Sequence, residues 1–219
     1  SVNTTYMTFA GVSKQRYVKY TKKDVVGPQT FDTVLYPDKI GEKTNVSVKR
    51  IDLGNVEKHI ATSLEISYND DIGFYYSSNE INPTERLFGD YSYDGQMADV
   101  ERGSDKNIKM MAITNGKLLK YGETALIKSD EIITDIGVEW NANTLVLNSE
   151  KALPDSGISI YSARYVDRVE LNGEAVDFEF ENNIVKIDIV NVNLNSSPNT
   201  VAKKWSLLIT KINVAINPN

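Results

Sequence analysis

Apolar and polar positions alternate along most of the chain, which predicts strands and little else. The alternation is clean over 46–53 and over 61–68, where Leu64, Ile66 and Tyr68 share a face. Similar runs fall at 108–114, 124–128, 132–140, 144–147, 158–161, 166–171, 176–180, 184–190 and 205–212. Asn115-Gly116 and Asn172-Gly173 separate such runs and predict hairpins, because both dipeptides favour positive φ. Glu181-Asn182-Asn183 reads as a turn of the same kind. No segment sustains helical periodicity over three turns; only 54–60 could form a short helix, and it reads equally well as a loop. Strands about every 8–12 residues without a fixed repeat predict an all-β fold, a large antiparallel β-sandwich. The expected organisation is one domain over 1–219, with lead-in strands before 28 and a polar loop and closing strand over 191–219.

Composition narrows the chemistry. The chain has 219 residues, no cysteine and a single histidine, His59. A cysteine nucleophile, a disulfide framework, a Cys/His zinc site and a two-histidine metal face are thereby excluded. A net charge of −6 argues against nucleic acid as a partner, since phosphate binding needs concentrated cationic surface. No apolar run reaches the roughly 20 residues that span a bilayer, so no membrane insertion is expected. The opening Ser1-Val2-Asn3-Thr4-Thr5 has neither an initiator Met nor a signal-like region, and reads as a mature product, a fragment or a cloned module. Abundant Asn, Thr, Ser and Tyr with scarce Cys, Met and His lean toward a secreted or extracellular bacterial protein.

Phe31-Asp32-Thr33-Val34-Leu35-Tyr36-Pro37, after Gly27-Pro28-Gln29, resembles a segment of the C-terminal sheet domain of heparinase II/III-like polysaccharide lyases. In similar order follow Tyr68-Asn69-Asp70-Asp71, Phe88-Gly89-Asp90, Tyr93 to Ala98, Ala112 to Leu119 and Val169 to Gly173, so the likeness spans about 28–190. The resemblance implies a sandwich in a polysaccharide setting, within proteins that cleave uronate-containing glycans by β-elimination. The catalytic Tyr, His and Asn of that family lie in segments that this sequence does not match. No catalytic residue is carried over, and His59 reads as a loop residue.

The candidate sites follow from residue type. Sugars bind aromatic faces flanked by polar and charged groups. Tyr75, Tyr76, Tyr91 and Tyr93, near Arg86, could form such a platform, or could wedge an irregular loop against the sandwich. Arg164, between Tyr161 and Tyr165, could meet an acidic sugar or sit in an ordinary polar turn. Lys14 and Arg16, in a basic run with Lys19, Lys22 and Lys23, could bind an anionic glycan or protect an edge strand. Asp70, Asp71, Asp90 and Asp94 could ligate a structural Ca²⁺, though turn formation is the commoner use of Asp. No other cofactor is expected. Trp140 reads as a core or sheet-edge residue, and Trp205, which opens the last apolar strand, as core.

The sequence therefore points to a non-catalytic carbohydrate-binding or accessory module of a secreted polysaccharide-degrading enzyme. Its expected partners are a polysaccharide, in particular an acidic one, and the catalytic domain of a parent protein. The rivals are a polysaccharide lyase, either a part of one or a stand-alone enzyme with tyrosine as the base and Arg or Lys neutralising a uronate, and a structural or adhesive surface domain.

Overall fold

The structure, a computed structural model, describes residues 2–7, 15–20, 26–27, 32–34, 45–81 and 83–189, the first two segments as backbone only. Two compact units divide the chain, residues 1–33 with 210–219, and residues 34–209. In the first, β1 (Val2–Met7) and β2 (Gln15–Tyr20) form an antiparallel pair with Val2 opposite Tyr20.

The second unit holds one continuous sheet of 14 strands. It opens with β3 (Val46–Arg50), β4 (Ala61–Tyr68) and β5 (Asp71–Ser78), paired in that order. A short hairpin of β6 (Arg86–Phe88) and β7 (Tyr91–Tyr93) precedes β8 (Met97–Arg102), which lies beside β5. Two long strands follow, β9 (Ile108–Tyr121) and β10 (Thr124–Asn141). Next come β11 (Thr144–Asn148), β12 (Ile158–Tyr161), β13 (Arg168–Leu171) and β14 (Glu174–Ala175). The last two are β15 (Glu179–Glu181) and β16 (Ile184–Ile187). The described residues contain no helix; 54–60 is a turn closed by Ile60 N–H on the Glu57 carbonyl at 2.8 Å.

The long pair β9–β10 folds this sheet into two layers. The first half of β9 pairs with β8, Ala98 opposite Ile113, and its end pairs with β7, Tyr91 opposite Tyr121. β10 behaves likewise: Ile127 faces Ile160 of β12, and Val138 faces Leu147 of β11. One layer is therefore β14-β13-β11-β10-β9-β8-β5-β4-β3, and the other β15-β16-β12-β10-β9-β7-β6. Rings meet across the layers, Phe74 with Tyr91 at 5.0 Å and Tyr76 with Phe88 at 5.4 Å. Alternation selects the inward set: Ala98 and Val100, Met111 and Ile113, Ile136 and Val138, Leu145 and Leu147 are all buried in one core. The all-β fold and its sandwich-like layering agree with the sequence. Pairing is not wholly antiparallel, because β11 and β13 run parallel. The 162–167 connection carries the chain back across, so β13 starts at the same end as β11.

The bend has a local cause, and it corrects one predicted hairpin. Asn115-Gly116 does not reverse the chain; it sits inside β9. A two-residue type I′ reversal needs positive φ at both positions, and only Asn115 has it, at 55°. Asn172-Gly173 and Asn182-Asn183 have it at both positions and do make hairpins. Around the bend, Asp94 Oδ1 accepts the Lys117 and Leu118 amides, and Asn115 Nδ2 donates to Gln96 Oε1 at 2.6 Å. The Tyr93 ring fills the inside, lying against both Gly95 and Gly116 where a Cβ would collide with it. On β10 the same bend is a bulge between Lys128 and Ile133.

Candidate functional site

The expected tyrosine platform is absent from the surface. Tyr76, Tyr91 and Tyr93 point into the core and are fully or almost fully buried. Tyr93 donates to the Thr114 carbonyl at 2.9 Å. Tyr76 accepts from Arg86, which also pairs with Glu80 and so acts as a brace behind the β6–β7 hairpin. Tyr75 points to the opposite face of its sheet, as strand alternation requires, but is covered by Leu64 and Ile66. Its hydroxyl donates to Glu101 at 3.0 Å, beside the half-buried Asp99. None of these rings offers a free face to a sugar.

Nor do the four aspartates converge. Asp70 and Asp90 lie in the two-residue turns β4–β5 and β6–β7, Asp71 pairs with Lys109 at 2.7 Å, and Asp94 holds the bend. Among the described residues no group of three carboxylate or imidazole side chains could hold a metal ion. Lys14, Lys22, Lys23 and Trp205 lie outside the described residues, as do the side chains of Arg16 and Lys19. So does most of 31–37, of which Val34 packs against Leu64, Ile66 and Tyr75. His59 is a half-exposed loop residue 3.1 Å from Glu57.

Of the expected site residues whose side chains are described, Arg164 is the one that reaches a ligand-sized cleft. Because β9 and β10 double back, the two ends of each strand meet at the open edge of the sandwich, opposite the bend. Between them lies a cleft of about 310 Å³, in the lower range for small-molecule sites. Three aromatics line it: Tyr121 at the end of β9, Trp140 near the end of β10, and Tyr161 closing β12. Three cations join them: Arg102 ends β8, Lys106 sits in the following turn, and Arg164 in the loop after β12. Asn107 and Thr124 add polar groups, and among the described residues no acidic side chain lines the cleft, in a chain that carries 30 carboxylates.

The cations are poorly neutralised. The Arg102 guanidinium stacks on the Tyr121 ring, 4.7 Å from its centroid. Its Nε is sealed from solvent without a hydrogen-bond partner, and among the described residues no carboxylate pairs with Arg102 or Lys106. Arg164 has a long contact of 3.9 Å to Asp105. The Asp105 carboxyl is held below its usual range by the Asn107 side-chain and backbone amides, and then by Arg164. Trp140 donates its indole N–H to Ser162 Oγ at 3.0 Å, which fixes the ring against the Arg164 loop. A second, larger hollow of about 830 Å³ lies near Ser156 and Gly157, where the carboxylates Asp130, Asp155, Asp177, Glu179 and Asp188 outnumber Lys128 and Lys186. It has the wrong charge for an anionic ligand.

A tyrosine base needs a hydroxyl that ionises easily. Burial first, then neighbouring carboxylates, pushes Tyr68, Tyr75 and Tyr93 the other way, and burial pushes Tyr91 up to about 12. These four are suited to staying protonated. Sequence reasoning missed Tyr121, Arg102 and Lys106; it read Trp140 as core or sheet edge, and the ring is indeed partly buried against the core near the end of β10, but its place at the cleft was not foreseen. Their shared signal was position, since each lies at or near a strand end, but it needed the doubling of β9 and β10 to become visible. No family model matches the chain, and no curated protein matches it.

Proposed function

We propose that the chain is a carbohydrate-binding or accessory β-sandwich module of a secreted bacterial polysaccharide-degrading protein, and that its ligand is an acidic glycan. The observation carrying this is the cleft of Tyr121, Trp140 and Tyr161 with Arg102, Lys106 and Arg164, where the described residues contribute no acidic side chain. Aromatic faces suit the C–H faces of a pyranose, and guanidinium groups suit a carboxylate or sulfate through charge-assisted hydrogen bonds. The heparinase II/III-like segments support the same setting, and a parent catalytic domain is the expected neighbour.

Affinity electrophoresis against acidic and neutral polysaccharides tests the reading. The chain should be retarded by acidic polymers and migrate unchanged with neutral ones. Arg102→Ala should lose about 10- to 100-fold in affinity, the worth of a charge-assisted hydrogen bond. Equal retardation by neutral polymers, or none by any, would count against it. Release of unsaturated uronate, read in the ultraviolet, would favour a lyase instead.

A further inference from the structure

We infer that the cleft takes a glycan by one end, enclosing a single anionic unit, and does not grip the middle of a chain; this rests on the glycan-binding reading above. The gap between the two layers is spanned three times. Arg102 reaches from β8 to stack on Tyr121, Trp140 reaches from β10 to Ser162 Oγ, and Arg164 reaches toward Asp105 in the β8–β9 turn. A polymer threading the gap would have to displace these contacts. Inward, the cleft ends on the fully buried Leu126 and on Ile108, both packed against the core, so it is blind. Its volume, about 310 Å³, suits a small ligand better than an extended polymer segment.

The turn at the mouth is built for this purpose at a conformational cost. Lys106 holds a left-handed backbone, φ 63°, where Gly or Asn would be at ease. The turn is pinned by Lys106 N–H on the Gly103 carbonyl at 2.8 Å, and by Asp105 accepting Asn107 Nδ2 at 2.7 Å. A strained backbone under a side chain that lines a cleft points to selection for the side chain. Lys106 thus joins Arg102 and Arg164 as a cation lining the cleft for the anion.

The test is calorimetric titration of the whole chain with oligogalacturonates from disaccharide to decasaccharide. End-on binding gives one protein per glycan chain at every length, with affinity constant to about twofold. Affinity that climbs with length, with several proteins on one long chain, would overturn the end-on inference and leave glycan binding intact. Failure of every member to bind would overturn both. Lys106→Gly should raise the unfolding midpoint while weakening disaccharide binding several-fold; unchanged binding would remove Lys106 from the site.

Discussion

Single residues carry two unmet demands that can be measured. The Tyr91 hydroxyl is buried in the core without a hydrogen-bond partner, and a stranded polar group costs about 1–3 kcal/mol. Tyr91→Phe keeps the ring contacts with Phe74 and Phe88 and removes the liability. It should raise stability by about 1 kcal/mol in urea unfolding; a loss of stability would mean that the hydroxyl is satisfied after all. Ala142, at φ 52° in the β10–β11 turn, is strained for a residue with a Cβ. Ala142→Gly should gain about 1 kcal/mol by relieving a left-handed conformation. The tyrosine side chains also show why residue type misled the site prediction. Tyr75, Tyr76, Tyr91 and Tyr93 cluster in sequence, yet the alternation that puts them in strands also turns Tyr76, Tyr91 and Tyr93 inward, with Leu64 and Ile66 covering the fourth. A polar tip on an aromatic ring says nothing of the side on which it will lie.

At the scale of elements, the bend in β9–β10 decides the architecture. Gly116 packs its backbone against the Tyr93 ring, so Gly116→Ala should cost about 1–3 kcal/mol by overpacking. If that contact is the cause, Tyr93→Leu in the same chain should make the two losses sub-additive in a denaturation cycle. Strict additivity would place the bend's control elsewhere. Strands 61–68, 144–147 and 158–161 were legible because alternation and turn residues agreed. The joined strands β9 and β10 were not, because a bulge and an isolated left-handed Asn look in sequence like the ends of elements. The predicted runs 124–128 and 132–140 are one long strand, β10, and the run 108–114 continues through its predicted hairpin turn as β9.

For the whole molecule, charge is unevenly spent. Asp99 lies on the outer face of the first layer, one of its oxygens sealed without a partner, and burial followed by Glu101 raises its carboxyl well above the ordinary range. Folding therefore favours the protonated form. Its contribution is complete below the unfolded value of about 3.9 and is lost as pH rises through the folded value. Asp99→Asn should match the native chain in stability near pH 4 and exceed it at neutral pH; a difference independent of pH would contradict that assignment. The fold class was readable from periodicity because every strand contributes to it. The cleft was not, because Arg102, Lys106, Tyr121, Trp140, Tyr161 and Arg164 become neighbours only through the two layers' closure. The most direct measurement is the ¹H–¹⁵N spectrum of the chain during titration with an acidic oligosaccharide, with Trp205→Phe used to assign the indole signals. The Trp140 indole N–H and the Arg102, Lys106 and Arg164 amides should shift together and saturate. Perturbation confined to other residues, or no perturbation at all, would refute glycan recognition at this cleft.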